Sequence, residues 1–558
     1  MDFRRVNGFR SGSAGLLFAA VIVGVCGNVS AAQPSAKRVN PANGTITIKP
    51  LRLDFGLQAA GVTSTTVKTV TLRNLNPRAS TIDAVEVAGN YSVANNTCSG
   101  RLAPNGKCQI TLAITPRCPV AQPGTLSIFH DSSSTPETVR LSGRGKAPSG
   151  ASSNEVLVAG GLNLKGPLAS AELFDPGSCK FSAIGNMTMP RAFQTATYLD
   201  PAVVSGPEAG WVLITGGQTD ELGDITAAAE LYDPLTRTFS ATVQTMTHAR
   251  AGHSATLMRS GPLAGKVLII GGEALGADGF RATASAEIYD PNSGSFTPTT
   301  GAMNVARSQH RATLISGCNC AQDGDILVTG GYAVDPGGGP NDTAEIFDPA
   351  NQTFSCVGGG GAQYACADVM SSSRWEHAAA MLSNGTVWIG GGEITDNRSF
   401  PGKATATTDI YNPATGMMTR GPDMHLARNG EKVAVIPSGT LQNQVLVTGG
   451  FGDQVHATGS TAELYNPASN SFQCVGKNAP LRAKLCPGSM VDPRGTQAVT
   501  GFSGGALDGL VLVSGGINLA QAAVLNTAEV FNPSINGFER VGNMVSPRNE
   551  HTVTELPQ

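Results

Sequence analysis

The chain has 558 residues, of which 69 are glycine and 33 proline, while only 14% are charged, a composition that excludes long amphipathic helices and coiled coils. A hydrophobic share of 41% excludes a disordered chain, and a formal net charge of -3 leaves no basic excess for nucleic acid or an anionic membrane. The length suits two or three domains.

Arg4, Arg5 and Arg10 precede an uncharged run from Ala14 to Val25, and Val29-Ser30-Ala31 supplies the small residues of a cleavage site, so residues 1–31 read as a secretory signal peptide. That run is short for a bilayer span, and no later segment reaches roughly eighteen apolar residues. The mature chain is therefore expected to carry no transmembrane segment and to be secreted, periplasmic or at the cell surface. Cys26 follows Val23-Gly24-Val25, a partial lipoprotein box with Val25 where a small residue is usual, which leaves a lipid anchor as the alternative. Ten cysteines remain beyond the signal, and an even number in an exported chain points to disulfides rather than metal. Short loops predict Cys98 with Cys108, Cys356 with Cys366, and Cys474 with Cys486. Cys318 with Cys320, and Cys118 with Cys179 as a link between domains, are left by elimination.

Residues 45–147 hold seven short alternating segments, ITIKP, LRLDFG, VKTVTLRNL, IDAVEV, CQITLAITP, GTLSIFH and TVRLSGRG, at the spacing of a β-sandwich. The Asp-Phe-Gly opening, the Thr-Leu-Arg-Asn strand, the Pro-Asn-Gly turn between Cys98 and Cys108 and the closing Leu-Ser-Gly-Arg-Gly resemble Ig-like domains of the Hydin and abnormal-spindle type. Segments 32–43 and 146–154, rich in Pro, Ser, Ala and Gly, read as linkers.

From residue 150 to 558 the chain repeats. An apolar strand closing on Gly-Gly recurs seven times, at Gly161, Gly217, Gly272, Gly331, Gly392, Gly450 and Gly516, at intervals of 55 to 66 residues. Each unit then carries an AELFDP-like strand and turn, beginning at Ala171, Ala229, Ala286, Ala344, Thr408, Ala462 and Ala528. There the Asp or Asn side chain can cap the turn and Pro presets its next residue. A third signal is an arginine opening an apolar strand: Arg191, Arg250, Arg307, Arg374, Arg428, Arg494 and Arg548, four of them followed three residues on by His253, His310, His377 or His551. Together the three signals resemble kelch repeats, with Phe in place of the Trp common on the fourth strand. The resemblance implies an all-β fold: a seven-bladed kelch β-propeller, related to the central domain of galactose oxidase, behind a small Ig-like β-sandwich. The first unit lacks an arginine strand and the chain ends with a spare one, so the C-terminal strand is expected to complete the first blade as its innermost member.

No nucleophile elbow, P-loop, dinucleotide fingerprint or His-Glu-x-x-His occurs. The kelch resemblance raises a copper-radical oxidase, which needs a Tyr-His pair on the inner strands. The residues before the four histidines are instead Gly252, Gln309, Glu376 and Glu550, and Phe193 stands in the Tyr place, so no catalytic residue, metal or other cofactor is assigned. The seven arginines have two readings. As a ring at one channel mouth they would bind carboxylate or phosphate bidentately. As scaffold they would pair with the seven repeat acids Glu172, Glu230, Glu287, Glu345, Asp409, Glu463 and Glu529. Long connections at 332–343, 393–407 and 451–461, with the two disulfide-bearing insertions, decorate the arginine face, where binding function is usually placed. The expectation is a non-catalytic protein that binds a glycan or protein ligand through this face. The alternative is a sugar-active exported enzyme of oxidase or epimerase type.

Overall fold

The computed structural model describes residues 46–557 except 60–62, 117, 119–121, 147–153, 277–278, 334–338, 360–365, 368, 395–402, 453–457, 477–485 and 487–488. The signal peptide, Cys26, the 32–43 linker and most of the 146–154 linker lie outside the described residues, as do the centres of the long connections and of both disulfide-bearing insertions. Two compact units emerge, one from the first part of the chain together with residues 176–179, the other from the rest up to the C-terminus. No helix of the described residues is long and apolar enough to cross a membrane.

The first unit has two sheets. One runs in the order Ile46–Lys49, Lys68–Asn74, Lys107–Ile114, Tyr91–Asn96; the other in the order Arg52–Ala59, Glu137–Lys146, Gly124–His130, Ser80–Ala88, Gly100–Leu102. Ile46, Val70, Leu72 and Ile110 from the first sheet and Leu53, Leu126, Ile128 and Leu141 from the second belong to one buried cluster. Among the described residues nine strands form where seven are expected. Tyr91–Asn96 buries only Tyr91 and so lacks an apolar alternation, and Gly100–Leu102 is too short to show one.

The second unit contains seven four-stranded antiparallel sheets, here blades 1 to 7. Blade 2 is typical: Thr195–Tyr198, Val212–Thr215, Ala229–Asp233 and Thr238–Ala241, from innermost to outermost. In blade 1 the innermost strand is Thr552–Leu556, paired antiparallel with Glu155–Ala159, as the strand order of the sequence requires. The innermost strands neighbour one another in a closed cycle, Ala498–Gly501 of blade 7 meeting Thr552–Leu556 and that strand meeting Thr195–Tyr198. The unit is a β-propeller.

The apolar Gly-Gly strands are its second strands, buried along their whole length because each blade is covered on both faces by its neighbours. The third strand offers Tyr or Phe to the fourth: Tyr232 packs on Phe239 with ring centroids 4.9 Å apart and Phe347 on Phe354 likewise at 4.9 Å, while blade 5 places Met418 opposite Tyr411. The turn between these strands is capped as its composition predicts, the amide of Leu235 donating to Asp233 Oδ1 at 2.9 Å and that of Ala350 to Asp348 Oδ1 at 2.8 Å.

Five disulfides are formed: Cys98–Cys108, Cys118–Cys179, Cys318–Cys320, Cys356–Cys366 and Cys474–Cys486. Peptide mapping of unreduced protein is expected to recover all five and no free thiol among these ten residues.

Candidate functional site

Each repeat arginine stands ahead of the inner strand rather than opening it. The second residue after it is left-handed in every blade (Phe193, Gly252, Gln309, Glu376, Gly430, Thr496 and Glu550, with φ between 47° and 61°), and extension begins only beyond that kink. The turn folds the guanidinium back over the end of its own blade. Arg307 is typical: Nη1 donates to the carbonyls of Gly330 at 2.6 Å and Thr343 at 3.3 Å, and Nη2 to Thr343 Oγ1 at 3.0 Å and Glu345 Oε1 at 2.9 Å. All seven arginine side chains are fully enclosed, each with an acid within 2.9 Å. The pairs are Arg191–Glu230, Arg250–Glu287, Arg307–Glu345, Arg374–Asp409, Arg428–Glu463, Arg494–Glu529 and, across the closure, Arg548–Glu172.

This corrects the reading of Arg191, Arg250, Arg307, Arg374, Arg428, Arg494 and Arg548 as a ligand-binding ring. Their donors are directed at carbonyls and a carboxylate inside the scaffold, and no guanidinium is left in reach of a ligand. The register of the acids also shifts by one repeat from a simple reading, since an arginine pairs with the acid that follows it in the chain. Arg191 stands apart in one respect. Its Nη2 has no partner because Ala228 occupies the position where Ser285, Thr343 and Thr461 supply a hydroxyl to the equivalent arginines. Ala228→Thr is expected to stabilise the protein by about 1 kcal/mol in urea denaturation.

The glycine pair makes room for this arrangement. Both glycines are left-handed in every blade, and a Cβ on Gly271 would stand 2.6 Å from the Arg307 carbonyl. The amide of the second glycine donates to the arginine carbonyl of the next blade, as Gly217 does to Arg250 at 2.9 Å and Gly272 to Arg307 at 3.0 Å. An arginine thus ties its own blade with its side chain and the preceding blade with its backbone.

The third residue after the arginine also bridges blades. His253 Nε2 lies 2.9 Å from Thr215 Oγ1, His377 Nε2 2.9 Å from Thr329 Oγ1, and His551 Nε2 3.0 Å from Ser514 Oγ, while Gln497 Nε2 donates to the Thr448 carbonyl at 2.8 Å. His310 reaches Ser254 Oγ instead, at 2.9 Å. Burial holds all four histidines well below the usual imidazole range and keeps them neutral.

In blade 6 this position is Glu431, and the blade 5 residue aligned with Thr215, Thr329 and Ser514 is Gly390, which has no hydroxyl. Both carboxyl oxygens of Glu431 are buried without a hydrogen-bond partner, and burial pushes its pKa up to about 7 from an ordinary 4.5. The folded protein therefore holds a proton that the unfolded chain has already released, and stability falls as the pH rises from 4.5 towards about 7. Glu431→Gln, a residue already present at this position as Gln194 and Gln497, is expected to melt a few degrees higher than the parent at pH 8 and equally at pH 4.5 in calorimetry.

Inside the ring of innermost strands lies a cavity of about 390 Å³. Its wall includes charges that the repeat does not call for. Where other blades have Thr195, Ser254, Ala378, Ala498 and Thr552, blade 4 has Arg311 and blade 6 has Lys432, and the left-handed residues Glu376 and Glu550 add two carboxyls. Arg311 donates through Nε to the His377 carbonyl, and Lys432 Nζ is 4.0 Å from Glu550 Oε2. Burial, and then the nearby Glu550, push Glu376 up to about 8, so it is largely protonated at neutral pH. Phe193 presents an aromatic ring to the same wall, beside the hydroxyls of Thr195 and Ser254.

Glu376, Glu550 and Phe193 are legible in the sequence as the residues before the repeat histidines or their equivalents, but not as a site; Arg311 and Lys432 escape a search that looks for what recurs. The signal that finds them is the reverse one, charge at an aligned position where the other repeats are small or hydroxylic. Elsewhere, His425 lies close to Cys474 and Cys486, but those sulfurs are bonded to each other and offer no thiolate to a metal.

No protein-family model matches the chain, and no curated protein does. Among solved structures, one of a protein named YjhT is 12% identical, covering 64% of this chain and 99% of that one with a TM-score of 0.41. A novel fungal alcohol oxidase of the AA5 family, in complex with copper, is 16% identical, covering 67% of this chain and 71% of that one with a TM-score of 0.45. Such identities say nothing of chemistry, and the propeller assignment rests on the strand topology above.

Proposed function

We propose that this chain is an exported binding protein whose propeller takes a glycan in its central channel, with the N-terminal unit as an Ig-like module. One observation carries the reading: a cavity of sugar-sized volume, about 390 Å³, lined by charged groups that lie outside the repeat's own hydrogen-bonding scheme. Convergent polar groups around one aromatic ring suit a polyhydroxylated ligand, whose hydroxyls take hydrogen bonds while its C–H face packs on Phe193. Five disulfides favour an oxidising compartment. The site moves inward from the loop face, since no repeat arginine is available there.

A glycan array probed with the full chain tests the reading. The expected result is a small set of related glycans, with binding weakened at least tenfold by Glu550→Gln or Phe193→Ala at unchanged melting temperature. Signals indifferent to both substitutions would overturn a channel site.

A second reading, a sugar-active enzyme, draws on Glu376. A carboxylic acid protonated to about pH 8, beside the second carboxyl of Glu550, is the kind of pair that divides general-acid and general-base roles. Incubating the array hits with protein and following them by proton NMR separates the two readings: a binding protein leaves the sugar spectrum unchanged.

A further inference from the structure

The charge balance of the channel narrows the ligand class, on the footing of the glycan reading just given. Eight arginines stand at or near the inner strands' entrances, and seven have an acid within 2.9 Å. The eighth, Arg311, has none within ion-pairing distance among the described residues. Its one hydrogen bond is from Nε to the His377 carbonyl, which fixes the plane of the guanidinium and leaves its two terminal nitrogens without a protein partner. The side chain lines the cavity and is partly withdrawn from water. A guanidinium so placed is costly unless something supplies the missing acceptor. No scaffold need explains it, because Thr, Ser and Ala serve at the same position in five other blades.

The neighbouring groups leave the shortfall in place. Lys432 brings a second positive charge, and its contact with Glu550 is long, at 4.0 Å. Glu376 holds its proton at neutral pH and so behaves as a hydroxyl donor there. The acids that act on Arg311, namely Glu431, Glu550 and Glu376, do so only from beyond ion-pairing distance, and burial raises Glu431 to about 7 and Glu376 to about 8, so at neutral pH the two cations are not fully matched by ionised carboxylates. We infer that the channel site takes a carboxylate-bearing sugar, a uronic-acid type of glycan, whose carboxylate sits in the two-pronged terminus of Arg311 with Lys432 alongside. The planar fork matches a carboxylate. A phosphate dianion would meet Glu550.

Calorimetry with the full chain at pH 7 is the test, using galacturonate and glucuronate trimers, neutral trimers of galactose and glucose, and a sulfated galactose trimer. A uronate trimer is expected to bind at least tenfold tighter than its neutral counterpart. Arg311→Gln should erase that preference while changing the melting temperature by no more than about 2 °C. Arg311→Lys, which keeps the charge without the fork, should recover only part of it, and Lys432→Gln should weaken uronate binding severalfold. Equal affinity for neutral and acidic trimers, equal or tighter binding of the sulfated one, or a large loss of stability in Arg311→Gln would each overturn the carboxylate assignment and leave the glycan reading standing. Failure of every trimer, neutral and charged, together with an empty array would overturn both.

Discussion

Arg307→Ala is expected to destabilise the propeller by about 3–5 kcal/mol, whereas Arg311→Ala, four residues on, should cost less than about 1 kcal/mol. The contrast follows from surroundings alone. Removing the Arg307 side chain withdraws five hydrogen bonds at once and leaves the Glu345 carboxylate enclosed, holding only the donors from Asn304 and Val305. Arg307→Lys should recover little, since a single ammonium cannot reach three carbonyls, a hydroxyl and a carboxylate. Arg307→Met with Glu345→Leu should be more stable than Arg307→Ala, because the stranded charge goes with its partner. Urea midpoints of the four variants check the series. A loss below about 1 kcal/mol for Arg307→Ala would return the arginine ring to consideration as a binding surface.

Truncation before Arg548 is expected to be more damaging still. It removes the innermost strand of blade 1 and with it the paired edge of Glu155–Ala159, the Arg548–Glu172 ion pair and the His551 contact to Ser514. One strand edge is then open, that of Glu155–Ala159, and the cycle of inner strands is broken beside Ala498–Gly501. The shortened chain should aggregate on concentration or lose its cooperative melt. A circular permutant that joins Leu556 directly to Glu155 through a short linker should melt at or above the parent temperature, because it makes the same seam covalent. An unchanged midpoint in the truncated chain would contradict closure by the last strand.

The propeller was legible in the sequence because its architecture is written seven times. The Gly-Gly strands, the Asp-Pro turns and the spare arginine strand each answer a demand that recurs in every blade, so repetition amplifies a signal that a single strand of four or five residues could not carry. The same repetition hid the site. Arg307 and Arg374 look like a motif, yet their side chains only hold their own blades, while Arg311 lies one turn away from the pattern and reads as noise. The acids gave the clearest error of register: Glu172 stands next to Arg191 in the repeat order but pairs with Arg548, because the chain closes on itself. The two missed strands of the first unit failed for a local reason, one being exposed almost throughout and the other three residues long.

The seam between the first and last blades also sets an order of events during synthesis. Ala159 and its hydrogen-bonding partner Thr552 are 393 residues apart, and every other blade draws its four strands from one continuous stretch of chain. Six blades can therefore form as they emerge, while blade 1 waits with an unpaired edge until the final ten or so residues appear, and the channel has no complete wall before then. A chain that leaves the ribosome from its N-terminus consequently keeps the Glu155–Ala159 edge unpaired and the central cavity unfinished until Thr552–Leu556 is available.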